Sequence, residues 1–279
     1  MQTLNRFDLQ EIKANIENGI EEWSIKTYPA EHRNHLGISE IGDKCSRKLW
    51  YKFRWADLET HDGRMRRLFA RGHREEEKYI NYLEGIGCTV HRFDTNGKQF
   101  RMTSVMGHYG GSCDGVVITP WHSGVPFLAE FKTHNTKSFT YYVQHGLKKA
   151  KPQHWAQMCS YGYKLNIQYG IYFPENKNDD DIQVEIVELD WNYAKQLEKK
   201  AEEIILSPNP PERISNNPAY QECQWCFLKN VCHNNKIPLK NCRSCKNSMP
   251  TENGTWACSK FGVIPESFIK SGCNEWIPL

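Results

Sequence analysis

Gly111-Ser112-Cys113-Asp114-Gly115-Val116-Val117-Ile118, followed closely by Phe127-Leu128-Ala129-Glu130-Phe131-Lys132-Thr133, decides the fold. Both are apolar runs punctuated by Gly and Pro, which predicts strands over Asp114–Thr119 and Phe127–Lys132. Successive side chains of a strand point to opposite faces. Glu130 and Lys132 therefore share one face while Ala129 and Phe131 take the other. Asp114 and Glu130 offer hard oxygen donors suited to magnesium or manganese. A neighbouring ammonium can position a water or offset charge developing on a phosphate. Taken singly, an Asp in a turn and a Glu-x-Lys pair are also ordinary solvated surface.

Outward from this pair of strands the periodicity alternates. Leu4, Leu9, Ile12, Ile16 and Ile20 recur at near-helical spacing and predict an amphipathic first helix packed on the body. Met65, Leu68, Phe69, Tyr79, Ile80 and Leu83 mark a longer helix ended by Gly85 and Gly87. Strands are predicted over Cys88–Phe93, Gln99–Val105, Tyr169–Phe173 and Ile182–Leu189, and helices over Lys137–Lys148, Pro152–Leu165 and Trp191–Leu206. This order predicts an α/β (α+β) fold, a mixed central sheet flanked by helices. Ser207-Pro208-Asn209-Pro210-Pro211 then breaks the chain, and cysteines replace a hydrophobic core. The expected organisation is an N-terminal helical segment over 1–60, the main core over 61–206, a cysteine segment over 207–236 and a small four-cysteine tail over 237–279.

The 279 residues suffice for one large domain with appendages, and 39% hydrophobic with 25% charged residues is an ordinary globular composition. A net charge of +3 does not by itself indicate a nucleic-acid partner. No apolar run reaches the roughly 18 residues of a membrane span, and the first twenty residues lack the apolar centre of a signal peptide, so no membrane association and a cytoplasmic location are expected. In that reducing compartment the eleven cysteines, with two CxxC pairs, favour metal ligation over disulfides.

Three further stretches sharpen the reading of Asp114, Glu130 and Lys132. Arg71-Gly72-His73-Arg74-Glu75-Glu76 lies on the helix upstream. Gln157 and Tyr161 lie four apart, on one face of the helix downstream. Phe131 to Phe139, with Lys148, Lys149 and Lys151 beyond, adds positive charge and aromatic rings. In this order the motifs resemble the PD-(D/E)xK nucleases, and within them the RecB-like exonucleases, with Cys113 standing where that family often has Pro. The resemblance spans roughly residues 40 to 235. It implies a restriction-endonuclease-like core in which His73, Asp114 and Glu130 hold magnesium or manganese, with Glu76 an alternative ligand. It also implies that Lys132 assists the attacking water and that Gln157 and Tyr161 organise the strand, where an amide, a phenol and a ring face suit phosphate oxygens and unpaired bases.

Cys223-x2-Cys226-x5-Cys232 supplies three thiolates and leaves a four-coordinate site one ligand short. Cys45 resembles the isolated N-terminal cysteine that joins such a triplet in RecB-like nucleases carrying a 4Fe-4S cluster, among them AddB-type and CRISPR-adaptation nucleases. One cluster would then tie the start of the chain to its end. Thiolates alone would equally suit zinc. Cys242, Cys245, Cys258 and Cys273 form a second set, read as a zinc site because the tail is short and polar for a core of its own. Cys88, Cys113 and Cys159 read as small core residues.

The resemblance implies a metal-dependent deoxyribonuclease, an exonuclease on DNA that is single-stranded or has free ends. It would serve recombination, replication or repair with proteins of those processes, in a bacterial cell if phage-encoded. A PD-(D/E)xK endonuclease and a non-catalytic DNA-end-binding subunit remain as alternatives.

Overall fold

A computed structural model of the chain describes residues 5–93, 97 and 99–279. In chain order, α1 (Arg6–Thr27), β1 (Leu36–Gly37), α2 (Ser46–Phe53) and α3 (Gly63–Gly85) precede β2 (Thr89–His91), β3 (Arg101–Ser104), β4 (Tyr109–Ser112), β5 (Gly115–Ile118) and β6 (Pro126–His134). Two helices, α4 (Thr136–Ala150) and α5 (Pro152–Leu165), lead to β7 (Tyr169–Asn176), β8 (Glu185–Glu188) and α6 (Trp191–Leu206).

The main sheet has the order β2-β5-β6-β7-β8. β6 and β7 are parallel and the other neighbours antiparallel, so the sheet is mixed, as expected. A parallel pair needs a crossover, which the helices α4 and α5 supply. Strand alternation gives the sheet two apolar faces. Val117, Ala129, Phe131, Ile171 and Phe173 pack beneath Tyr79, Ile80 and Leu83 of α3. Leu128 and Tyr172 face the opposite core, shared with Met158 and Cys159 of α5 and with Leu197 and Ile204 of α6.

Local chemistry sets the helix ends. The Asp62 side chain accepts from Met65 N at the start of α3, and Gly87, at φ 89°, turns the chain just beyond its end. α5 begins on Pro152 and stops at Asn166 in the left-handed region, while α4 is broken at Gly146, where Leu147 N instead donates to the Glu185 carboxylate at 2.9 Å.

Two expectations needed revision here. The three-stranded sheet β1-β4-β3 contains strands the sequence did not announce, because Tyr109-Gly110-Gly111-Ser112 has poor strand propensity. Its glycines serve close approach: a Cβ on Gly110 would stand 2.5 Å from Met102 O, and one on Gly111 would collide with the Tyr161 hydroxyl. The first helix forms, but its stripe of Leu9, Ile12, Ile16 and Ile20 is solvent-exposed; Leu4 lies outside the described residues. α1 is held to α3 by polar contacts instead. Glu21 pairs with Arg67 at 3.1 Å, and Arg67 also donates to Ser24 Oγ at 3.0 Å.

Beyond Pro211 come α7 (Gln221–Gln224), α8 (Lys229–His233), the small sheet of β9 (Ser248–Pro250), β10 (Trp256–Cys258) and β11 (Gly262–Val263), and α9 (Glu266–Ile269). The tail shares the main core through buried Trp256, whose ring lies 5.3 Å from that of Phe53. The Arg243 guanidinium, wholly buried, sits between the rings of Phe53, Trp55 and Trp256 at 4.7, 4.4 and 4.6 Å and donates to Asn34 O and Phe53 O. Arg54 donates in the opposite sense, from α2 into the tail, to Cys245 O at 2.8 Å and Ser248 O at 3.1 Å. Among the described residues no helix is long and apolar enough to cross a membrane.

Candidate active site and cysteine sites

The antiparallel register Gly115↔Ala129 carries Asp114 to the edge of β6, where its Oδ2 accepts from Phe131 N at 2.8 Å. On β6 the alternation lines Glu130, Lys132 and His134 along the face turned to α5. α5 answers with His154, Gln157 and Tyr161, three and four residues apart and so on one face. Glu130 has no solvent exposure; Gln157 Nε2 donates to its Oε2 at 2.9 Å, and the Lys132 ammonium pairs with its Oε1. Lys132 is also 4.0 Å from Asp114.

Burial, reinforced by the negative charges of Asp114 and Glu76 and opposed by Lys132, pushes the Glu130 carboxyl up to about 8. Burial pulls Lys132 down, but Glu130 and Asp114 outweigh it and hold the ammonium above its ordinary value. Glu76 is likewise raised, by burial first and by Asp114 second. Three carboxylates thus crowd one another with a single lysine between them, an excess of hard negative donors that a divalent cation would neutralise.

These groups face one cavity of about 770 Å³. His73, Glu76, Asp114, Lys132, Gln157 and Tyr161 line it, so the structure gathers the sequence-read residues, with Glu130 buried behind Lys132. His73 is the outlier. Its side chain is 81% exposed, and its Nδ1 faces Glu76 Oε1 at 3.4 Å. Among the described residues, no three His, Cys, Asp or Glu side chains already form a metal-holding group. Glu75, in the same stretch, turns to the fold instead: Lys78 bridges it to the buried Glu175 of β7, each at 2.8 Å.

Sequence reading missed Arg33, His35 and Arg101, which line the same cavity. For Arg33 and His35 the one signal was the basic run Glu31-His32-Arg33-Asn34-His35, which lies off any regular element and so carries no period; Arg101, on β3, had none. It also missed the buried chain beside Glu130. Tyr172 Oη lies 2.8 Å from both His134 Nε2 and His154 Nδ1, and Ser138 Oγ is 3.3 Å from His134 Nδ1. Burial, then the charges of Lys151, Lys132 and Lys177, drives His134 down to about 4; burial with Lys132, His134 and Lys151 drives His154 to about 2. Both are neutral imidazoles.

The two sets of cysteines are each gathered as well. Cys45 caps α2, its Sγ accepting from Lys48 N at 3.4 Å, and lines a cavity of about 250 Å³ with Cys223, Cys226 and Cys232. The Cys223 thiol is raised by burial and then by its neighbours Cys45 and Cys232. Cys242, Cys245, Cys258 and Cys273 line a second cavity of about 390 Å³, and Cys242 is raised by burial and by the other three. None of the eleven cysteines is in a disulfide, and Cys88, Cys113 and Cys159 are buried in the core.

No protein-family model matches the chain, and no curated protein matches it. Among solved structures it is similar to an alkaline exonuclease from Laribacter hongkongensis, at 17% identity and a TM-score of 0.46, over 62% of this chain and 87% of that one. The same exonuclease in complex with dAMP gives 18%, 0.46, 64% and 90%. The structure of SSO0001 gives 16% and 0.43, over 78% of this chain and 96% of that one.

Proposed function

We propose that the chain is a metal-dependent DNA nuclease of the PD-(D/E)xK type, RecB-like, acting as an exonuclease on DNA ends. The observation that carries this reading is the Asp114, Glu130 and Lys132 constellation: Asp114, just before β5, and Lys132 of β6 line one cavity, Glu130 lies buried behind Lys132, and Gln157 and Tyr161 of α5 back them. Asp114 and Glu130, with Glu76 or His73, would hold magnesium or manganese. Such an ion, when bound, lowers the pKa of a water and polarises a phosphodiester.

The chain's own groups do the rest. Gln157 fixes the Glu130 carboxylate so that one oxygen stays directed at Lys132. The Lys132 ammonium orients the attacking water and meets the charge that grows on the phosphate oxygens. Tyr161, pressed on the bare backbone of Gly111, places its hydroxyl at the cavity wall as a phosphate donor. Arg33 and Arg101, on the same cavity, supply positive charge for the neighbouring phosphates.

Cys45, Cys223, Cys226 and Cys232 would hold a 4Fe-4S cluster, and Cys242, Cys245, Cys258 and Cys273 a zinc ion. Four soft thiols around one cavity suit either metal. DNA is the partner this reading requires, with recombination or replication proteins as further partners.

End-labelled strands incubated with the purified chain and manganese test the activity. Release of mononucleotides or short oligomers supports the exonuclease, cutting of closed circular DNA points to an endonuclease, and binding without any cleavage points to a non-catalytic end-binding subunit.

A further inference from the structure

A second recess, of about 640 Å³, adjoins the candidate active site and shares His32, Arg33 and His73 with it. It runs between the end of α1, the start of α3 and the cysteine segment. Arg66 is the decisive side chain. It is only 7% exposed, lines the recess, and forms no ion pair among the described residues; its one hydrogen bond is from Nε to His61 O, at 2.8 Å. Its two Nη groups meet no protein acceptor among the described residues and stay solvent-accessible in the recess, so an anion there could take charge-assisted hydrogen bonds from them. The acidic neighbours do not serve: Asp57 and Glu59 are taken by Lys236 at 2.6 Å and Lys52 at 3.1 Å, and Glu31 makes no ion pair with Arg66.

The recess also carries two rings. Phe69, on α3, is 47% exposed, and Phe227 follows directly on Cys226. Phe227 is half-buried with Lys52 Nζ 5.8 Å from its ring centre, and Phe69 meets His61 edge-on and leaves its ring face accessible; cations beside such rings suit phosphates strung between flat bases. Only unpaired bases can present their faces to such rings, because in a duplex those faces are already stacked.

We propose that this recess holds the unpaired DNA strand leading from the candidate active site, with a phosphate on Arg66 and a base on Phe69 or Phe227; this rests on the nuclease reading above. The cysteine segment then supplies one wall of the strand's path through Phe227.

The test is fluorescence anisotropy of a labelled single-stranded oligodeoxynucleotide, about twelve nucleotides long, with the full chain in EDTA, so that binding is read without cleavage. Phe69→Ala and Phe227→Ala are each expected to weaken binding roughly 10-fold, about 1.4 kcal/mol. Trp121→Ala, an exposed control on the β5–β6 loop, should leave it unchanged. Arg66→Gln should weaken binding and lower the slope of log affinity against log salt by about 0.7, the loss of one phosphate contact on a single strand. A blunt duplex of the same length should bind more weakly than the strand and be insensitive to Phe69→Ala. Wild-type affinity in both Phe variants, or equal losses on strand and duplex, overturns the proposal. If the strand is bound and Phe69→Ala weakens it while the wild-type chain cleaves no DNA with magnesium or manganese, the recess stands and the nuclease reading falls. If cleavage occurs but the Phe variants bind normally, the recess falls alone.

Discussion

Glu130 is a carboxylate that the fold keeps from water and supplies with one amide donor and one ammonium. Asp114→Ala or Glu130→Ala should abolish metal-dependent cleavage while oligonucleotide binding persists, because a lost oxygen donor affects chemistry more than groove charge. Turnover in either purified variant near that of wild type would refute the assignment. Gln157→Ala strips the donor from Glu130 Oε2, so calorimetry should show about 1–3 kcal/mol lower stability.

The buried imidazoles give a separate, pH-dependent expectation. The folded values of His134 and His154 lie below the ordinary 6.5, so the unfolded chain binds protons first. Their contribution is complete above pH 6.5 and is lost progressively as the pH falls, through about 4 for His134. His134→Gln should therefore flatten part of the fall in Tm between pH 6.5 and 4; an unchanged slope would show that His134 does not contribute to it. At this scale the sequence was legible where side chains sit on regular elements. Glu130 and Lys132 followed from a period of two, and Gln157 and Tyr161 from a helical turn. Arg33 and Arg101 were not, because no period relates a loop or a short edge strand to a site across the chain.

Among elements, β4 and α1 show what periodicity does not carry. Gly110 and Gly111 argue against a strand by propensity, yet a side chain at Gly111 would occupy the place of the Tyr161 hydroxyl. Gly111→Ala should accordingly displace Tyr161 and lower activity, with circular dichroism unchanged; full activity would mean the close approach has no bearing on the site. In α1 the spacing gave the helix correctly, but a stripe of apolar residues states only that one face is apolar, not that anything covers it. Ile16, 58% exposed, makes the point. Ile12→Gln with Ile16→Gln should change stability by no more than about 0.5 kcal/mol, as at other open surface positions. A drop in Tm of many degrees would place those side chains in a core instead. α5 and α6, by contrast, began and ended where Pro152, Leu165, Trp191 and Leu206 had indicated, since proline and the flanking turn residues act locally.

For the whole molecule, one of the two cysteine sets brings together segments far apart in the chain, Cys45 beside Cys223, Cys226 and Cys232. If Cys45 shares a 4Fe-4S cluster with Cys223, Cys226 and Cys232, anaerobically purified protein should be brown with absorption near roughly 400 nm. Cys45→Ser should then lose that colour as fully as Cys226→Ser. Iron content equal to wild type in Cys45→Ser would place the fourth ligand elsewhere. Elemental analysis should likewise find about one zinc per chain that disappears on truncation at Ile237. Spacing grouped the cysteines only within each cluster; Cys45 was joined to the triplet by the family resemblance alone, and in the fold it is the start of α2 that sets it on the same cavity as Cys223, Cys226 and Cys232.

The arginines at that junction carry a consequence for how the molecule is made. Arg54, near the start of the chain, is sealed by the carbonyls of Cys245 and Ser248, and the rings of Phe53 and Trp55 are closed by Arg243 and Trp256. Synthesis runs from the N-terminus. On the ribosome, α2 therefore emerges long before its cover exists. Until residues 243–256 leave the exit tunnel, that guanidinium and those two rings lack these covers, and a product stopped short of Arg243 keeps them so. Emergence of the segment from Arg243 to Trp256 is thus what covers α2, however long the chain runs.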